Sequence, residues 1–283
     1  VVGAFGLGTI ETIENFHKGN EPMKTLTGKN LQKLKTLRGP KPRGLVLYVG
    51  PSMLEPGATI AVIATLETSN VKTGDMVQVW IIRVDINPVA ASNAGMDTAI
   101  CGTCPHRHVT GGACYVNIGQ APHAVYKAFI AGKYPEYDAE KHEHFLRDRR
   151  IRLGAYGDPA AAPFEIMEYL ANVGTGHTGY THQTRHANFD PRFIDICMVS
   201  ADSPKQAAQW HEKGARTFRV AMEGDAMFDN EIECLSDSMG AQCITCGLCD
   251  GSKRDAKNIV ITVHGSRQSK FKTATLIDTV EVA

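Results

Sequence analysis

Residues 152–182 read RLGAYGDPAAAPFEIMEYLANVGTGHTGYTH, and this stretch decides the fold. A short apolar run over 152–156 predicts a strand, the Gly-Asp-Pro that follows predicts a turn, 162–173 predicts a helix and 177–182 a second strand. Working outward, helices are expected over 121–131, 140–149 and 203–213, and strands over 193–200, 216–221 and 259–264. Such alternation implies α/β architecture, a parallel sheet with right-handed crossovers that forms a complete or partial (β/α) barrel or an open doubly wound sheet. Upstream the rhythm is purely β. Strands are expected over 45–49, 59–64 and 76–84, separated by Pro-Gly, Asn and Gly-Asp turn signals. Val77, Val79 and Ile81 alternate with Gln78 and Trp80, as in a sheet with two different faces. The expected organisation is a tail or upstream segment over 1–22, an N-terminal β region over 23–100, and a barrel-like α/β domain over 101–283 that carries the cysteine-rich segments.

Seven of the eight cysteines fall in two groups, and thiols this closely spaced converge on a soft metal ion or an iron–sulfur cluster. The first group, CGTCPHRHVTGGACY over 101–115, places Cys101, Cys104 and Cys114 with C-x2-C-x9-C spacing. His106 or His108 could complete a closed zinc site. Without either, the site keeps an open coordination position for substrate or cofactor. The second group, ECLSDSMGAQCITCGLCDG over 233–251, places Cys234, Cys243, Cys246 and Cys249 with C-x8-C-x2-C-x2-C spacing, a four-thiolate pattern that zinc and an iron–sulfur cluster satisfy equally. Cys197 stands alone in an apolar run and reads as a buried core thiol.

The beginning of the chain lacks the basic start and apolar core of a secretory signal, so reduced thiols in a cytoplasmic setting are expected rather than disulfides. No stretch approaches the roughly 18 uninterrupted apolar residues of a membrane span. With 30 basic and 30 acidic residues, no overall field recruits nucleic acid. Two local basic stretches, 24–43 and 147–152, read as solvated faces with the means to grip the phosphates of DNA or tRNA.

The ends of parallel strands are where α/β sites assemble, and polar residues gather there: Asp158, then His182 and Gln183, then Asp202, then His264. Asp158 suits either a ligand contact or the cap of the next helix. His177 and His182 fall on opposite faces of a regular strand and so do not share a metal. A histidine here would serve as a base.

The Cys114-Tyr115 pair, the strand ending Gly157-Asp158, the Tyr180-Thr181 strand and the closing C-x2-C-G-L-C run before a final strand and His264 resemble the gene product 88-like phage proteins over roughly residues 100–265. That family is distantly similar to radical S-adenosylmethionine enzymes, which have a partial (β/α) barrel. The resemblance implies that Cys101, Cys104 and Cys114 hold an open-site [4Fe–4S] cluster and that Gly157, Asp158 and Pro159 meet the amino group of S-adenosylmethionine. It also implies that Cys234, Cys243, Cys246 and Cys249 hold an auxiliary centre, in a phage-infected or bacterial cell. The C-x2-C-x9-C spacing differs from the C-x3-C-x2-C of those enzymes.

Two other classes share some of these marks. Guanine/7-deazaguanine transglycosylases acting on tRNA or DNA use a barrel with a late zinc site, which Cys243, Cys246, Cys249 and His264 resemble. Asp158 and Asp202 would then be nucleophile and acid/base. The third class is a zinc-stapled nucleic-acid-binding accessory protein with both thiol groups closed.

Overall fold

The computed structural model describes residues 41–271 apart from Ser266. The expected tail over 1–22 and all but the last three residues of the basic stretch 24–43 lie outside them. The chain opens with three strands, β1 (Gly44–Pro51), β2 (Thr59–Thr65) and β3 (Val77–Arg83). Helices α1 (Pro88–Asn93), α2 (Thr98–Cys101), α3 (Ala121–Ile130) and the single turn α4 (Ala139–His142) lead to β4 (Ile151–Tyr156). Then come α5 (Phe164–Val173), β5 (His177–Thr178), β6 (Tyr180–Thr181), β7 (Met198–Ala201), α6 (Pro204–Glu212), β8 (Thr217–Ala221) and β9 (Glu231–Glu233). The short helices α7 (Leu235–Ser238) and α8 (Cys243–Cys246) precede β10 (Asn258–Thr262).

The first sheet runs β1-β2-β3-β4-β5, and the second runs β6-β7-β8-β10-β9. β1, β2 and β3 are antiparallel neighbours, whereas every pairing from β3–β4 onward is parallel. β5 and β6 are one line of chain interrupted at Gly179. Its first half pairs with β4 and its second with β7, so the two sheets meet there. From β3 through β4, β5/β6 and β7 to β8 each parallel strand adds beyond the last, and β10 then inserts between β8 and the edge strand β9. Right-handed crossovers in such an order all fall on one face. Among the described residues β1 and β9 do not pair with each other, so no closed barrel forms.

Burial explains these elements. β3 is buried along its whole length, which departs from the two-faced strand expected from its alternation. As an inner strand it is covered on both faces, and its polar members are satisfied internally. Gln78 donates to Thr73 Oγ1 at 3.2 Å and Trp80 Nε1 to Thr65 Oγ1 at 2.9 Å. α5 buries Phe164, Ile166, Met167, Leu170 and Ala171 on one face, a helical stripe that packs toward β4. The N-cap Ser203 accepts from Gln206 N, and Pro204 opens α6 without losing a needed amide.

Two other expectations shift. The helix expected over 140–149 is α4 followed by a 3-10 turn, Glu143–Phe145. The strand expected over 193–200 begins as a 3-10 helix, Pro191–Asp195, because Asp190 caps Arg192 N. Cys197 is fully buried in the main core. No helix among the described residues is long and apolar enough to cross a membrane.

Candidate metal centres and the site at the strand ends

The loop after α2 folds the first cysteine group back on itself. Cys104 N donates to Cys101 O at 3.0 Å and Cys114 N to His106 O at 2.9 Å, so the third cysteine returns to the first two. Arg107 staples the loop by donating to Asp97 through Nε at 2.9 Å and Nη2 at 2.5 Å, and to Gly95 O at 2.6 Å. Asp97 is buried, and the Arg107 side chain is 10% exposed. The loop sits on the carboxyl ends of the strands. Asp158 N, just past β4, donates to Ile100 O at 2.7 Å, and Gln183 Nε2, just past β6, donates to Cys101 O at 2.8 Å.

The charges here are tightly coupled. Burial pushes the Cys101 thiol well above its ordinary range, and the neighbouring Cys104 and Cys114 push it further. Burial also raises Cys114. Thiols in this state are unreactive unless a cation turns them into thiolates. Burial alone would lower His182, but a hydrogen bond to Cys104 and the charges of Cys104 and Asp202 leave it well above its usual value. Burial would raise Asp202, yet His182 and His106 together hold it far below the carboxylate range.

Both oxygens of Asp158 are engaged. Oδ1 accepts from Ala160 N at 3.0 Å, while Oδ2 accepts from His182 N at 2.8 Å and Gln183 Nε2 at 3.2 Å. Burial raises its pKa, and the backbone amides of His182 and Ala160 oppose that rise. It therefore ties the end of β4 to the end of β6 and caps the 3-10 helix Pro159–Ala161. Gly157 has φ +81°, and a Cβ there would lie 2.8 Å from Ile81 Cβ. Packing against β3 thus accounts for this glycine.

Asp202 instead sits between two histidines. Its Oδ1 accepts from His106 Nε2 at 2.7 Å and lies 3.4 Å from His182 Nε2. Reading the sequence missed His106 in this role, since it stood among cysteines and was weighed only as their fourth ligand. His108 goes elsewhere, with Nε2 3.3 Å from Cys114 O. Beside Cys114 lies a cavity of about 320 Å³ lined by His108, Tyr115, Asn117, Ser92, Asn93 and Arg267 among others.

The second cysteine group forms its own pocket, lined by Cys234, Cys243, Cys246 and Cys249 together with Leu235, Leu248 and Ile259. Several contacts hold it to the sheet. Cys234 N donates to Val260 O of β10 at 2.8 Å, Cys243 N to Lys72 O at 3.0 Å, and Gly179 N, at the break between β5 and β6, to Cys249 O at 3.3 Å. His264 is not in this lining. It is half exposed, its ring lies 5.8 Å from that of Tyr115, and its Nδ1 is 3.9 Å from Asp237. His177, at the far end of the strand from His182, has Nε2 2.8 Å from Ile196 O.

Burial pushes Cys249 up to about 12, against a hydrogen bond from Tyr180 and with Cys234, Cys243 and Cys246 adding to the rise. Two arginines approach the same pocket. Arg152 donates to Tyr115 Oη at 3.1 Å and lies within electrostatic reach of Cys243, while Arg150 packs against Gly247. The buried Arg150 Nη1 and Arg152 Nε have no hydrogen-bond partner among the described residues. Buried cations beside four thiols fit a site that carries net negative charge once metallated. The stretch 147–152 is therefore not the solvated face expected from composition. Arg149 pairs with Asp75 at 2.8 Å and Arg147 with Glu143, which leaves Arg150 and Arg152 turned toward the cysteines.

Gly247 ends α8 in the left-handed conformation, φ +62°, and a Cβ there would overlap the Arg150 guanidinium. Gly247→Ala is expected to destabilise the protein by roughly 1–2 kcal/mol from backbone strain alone. It should also speed metal loss to a chelator from this centre and not from the first, which metal counts per chain over time will check.

The fold and site define an α/β protein with thiol groups at two places on a mainly parallel sheet. Comparison with protein-family models, with curated proteins and with solved structures gives no match.

Proposed function

We propose that this chain is a metal-dependent enzyme of the iron–sulfur type, similar to radical S-adenosylmethionine enzymes and to the gene product 88-like phage proteins. Cys101, Cys104 and Cys114 would form the open centre and Cys234, Cys243, Cys246 and Cys249 an auxiliary one. The observation that carries this reading is the placement of the three-cysteine loop on the carboxyl ends of β4 and β6, bonded to Asp158 and Gln183 and beside a cavity. An open run of parallel strands from β3 to β8, each added beyond the last, supports a partial barrel. A three-thiolate cluster held there would supply one iron without a protein ligand and the electron for reductive cleavage of S-adenosylmethionine. The chain's own part is to position. Asp158 fixes the main chain of 157–159 beside Cys101, and the arginines near the second group offset thiolate charge.

Two observations weigh against base exchange. Asp158 and Asp202 are both engaged within the chain, and His264 stands apart from Cys243, Cys246 and Cys249. An accessory nucleic-acid-binding role leaves the cavity beside Cys114 without a purpose.

Anaerobically purified protein is expected to hold iron and sulfide and to show the broad visible absorption of thiolate-ligated clusters. Colourless protein that holds only zinc and accepts no reconstituted cluster would sink this reading.

A further inference from the structure

The thiol groups account for seven cysteines and do not use the rings of His106 and His182 or the carboxylate of Asp202 as ligands. These three are the group among the described residues whose ligand atoms all lie within 4.8 Å of one another. They come from three separate elements: the cysteine loop, the end of β6 and the end of β7. His106 and Asp202 are 8% and 5% exposed, and His182 is partly open, with 23% of its side chain accessible. We propose that His106, His182 and Asp202 form a mononuclear divalent-metal site of two imidazoles and one carboxylate, next to the first thiolate centre but sharing no ligand with it, with positions left open to water or an oxygen group of the substrate.

The distances suit an ion. Ligand bonds of about 2.0–2.2 Å place neighbouring ligand atoms roughly 3.0–3.4 Å apart in tetrahedral or octahedral shells. Here Nε2 of His182 lies 3.4 Å from the Asp202 oxygen, within that range, and Nε2 of His106 lies 2.7 Å from it, a direct hydrogen bond that a bound ion would open by a few tenths of an ångström. The His106 ring is stacked on Phe271 at 5.4 Å, and its buried Nδ1 has no hydrogen-bond partner among the described residues. The ring's placement therefore serves Nε2. Two imidazoles with one carboxylate and open positions is a donor set typical of non-haem iron(II) and related divalent ions. Its place at the carboxyl ends of parallel strands is where substrates bind. The site stands on these side chains alone and does not rest on the iron–sulfur reading.

Cobalt(II) added anaerobically to the full-length protein as purified, followed by desalting, tests it. One cobalt per chain is expected, with weak ligand-field bands, no thiolate-to-cobalt charge transfer, and imidazole nitrogen and oxygen around the ion by X-ray absorption. Affinity should fall in His106→Ala and in the near-isosteric Asp202→Asn by more than the roughly 10–100-fold typical of losing an outer-shell partner. It should be unchanged in His211→Ala, a histidine of α6 outside this group. No retained cobalt, cobalt with sulfur neighbours, or equal retention by folded His106→Ala and Asp202→Asn overturns the proposal. Should those variants fail to fold, X-ray absorption on the parent protein still decides. If the cysteine centres prove to lack iron while a nitrogen/oxygen-bound cobalt persists, the iron–sulfur reading fails and this one stands.

Discussion

Glu231→Gln is expected to cost about 3–5 kcal/mol of stability, the range for breaking a buried ion pair from one side. Arg219 on β8 and Glu231 on β9 have side chains that are fully buried. They form a two-pronged bond, Nε to Oε1 at 2.8 Å and Nη2 to Oε2 at 2.7 Å. Phe228 N also donates to Oε2, at 2.9 Å, and Arg219 Nη1 is already without a hydrogen-bond partner among the described residues. Glutamine keeps the shape but leaves the guanidinium charge buried and unopposed, and its single carbonyl cannot replace two charged acceptors. For a chain of this size the thermal midpoint should drop by on the order of 10 °C. The effect should reach the four-cysteine pocket. β9 is a three-residue edge strand paired only to β10, and Cys234 follows it directly. Loosening β9 should draw Cys234 out of the four-cysteine pocket, so the variant should also release metal from that centre sooner than the parent. A midpoint equal to the parent's in thermal and urea unfolding would show that the pair is not anchoring this edge.

What could be read from the sequence was local, and what was missed depended on distant parts of the chain. Runs such as 45–49, 59–64 and 216–221 gave their strands away because β-branched residues at short range already prefer the pleated, half-buried surface they occupy. The run 177–182 looks like one strand for the same reason. Its interruption at Gly179 depends on which neighbours it meets, β4 on one side and β7 on the other, and no local pattern encodes that. The four cysteines from 234 to 249 sit close in sequence and meet in one pocket. His106 and Asp202 stand 96 positions apart and meet only because the strand order brings the cysteine loop over the end of β7. The arginines of 147–152 mislead for a related reason. Composition counts charge, but Arg150 and Arg152 flank the start of β4, where the sheet turns them toward Cys243 and Gly247.

The loop that carries Cys101, Cys104 and Cys114 has little regular structure to hold it, which makes Asp97 the residue on which the first centre depends most. Asp97 is 3% exposed and takes two bonds from Arg107. Arg107 in turn reaches Gly95 O and, at 3.4 Å, Gly102 O. One ion pair therefore closes the chain on both sides of α2 and sets where Cys101 and Cys104 stand. Asp97→Asn leaves a buried guanidinium facing a neutral amide, a loss of about 3–5 kcal/mol by the same reasoning as for Glu231. Most of it should appear locally, because the loop opens without dismantling the sheet. The expected result is selective: metal bound by the first cysteine group is lost or exchanges rapidly, while that of the four-cysteine pocket, anchored through Lys72, Val260 and Gly179, is retained. Metal and sulfide per chain, measured before and after brief chelator treatment in Asp97→Asn and in Cys104→Ala, will check this. The two variants should match in what they lose. Full retention by Asp97→Asn would mean that the thiolates and their metal hold the loop without the ion pair. Loss from both centres at once would mean that the two are mechanically one unit.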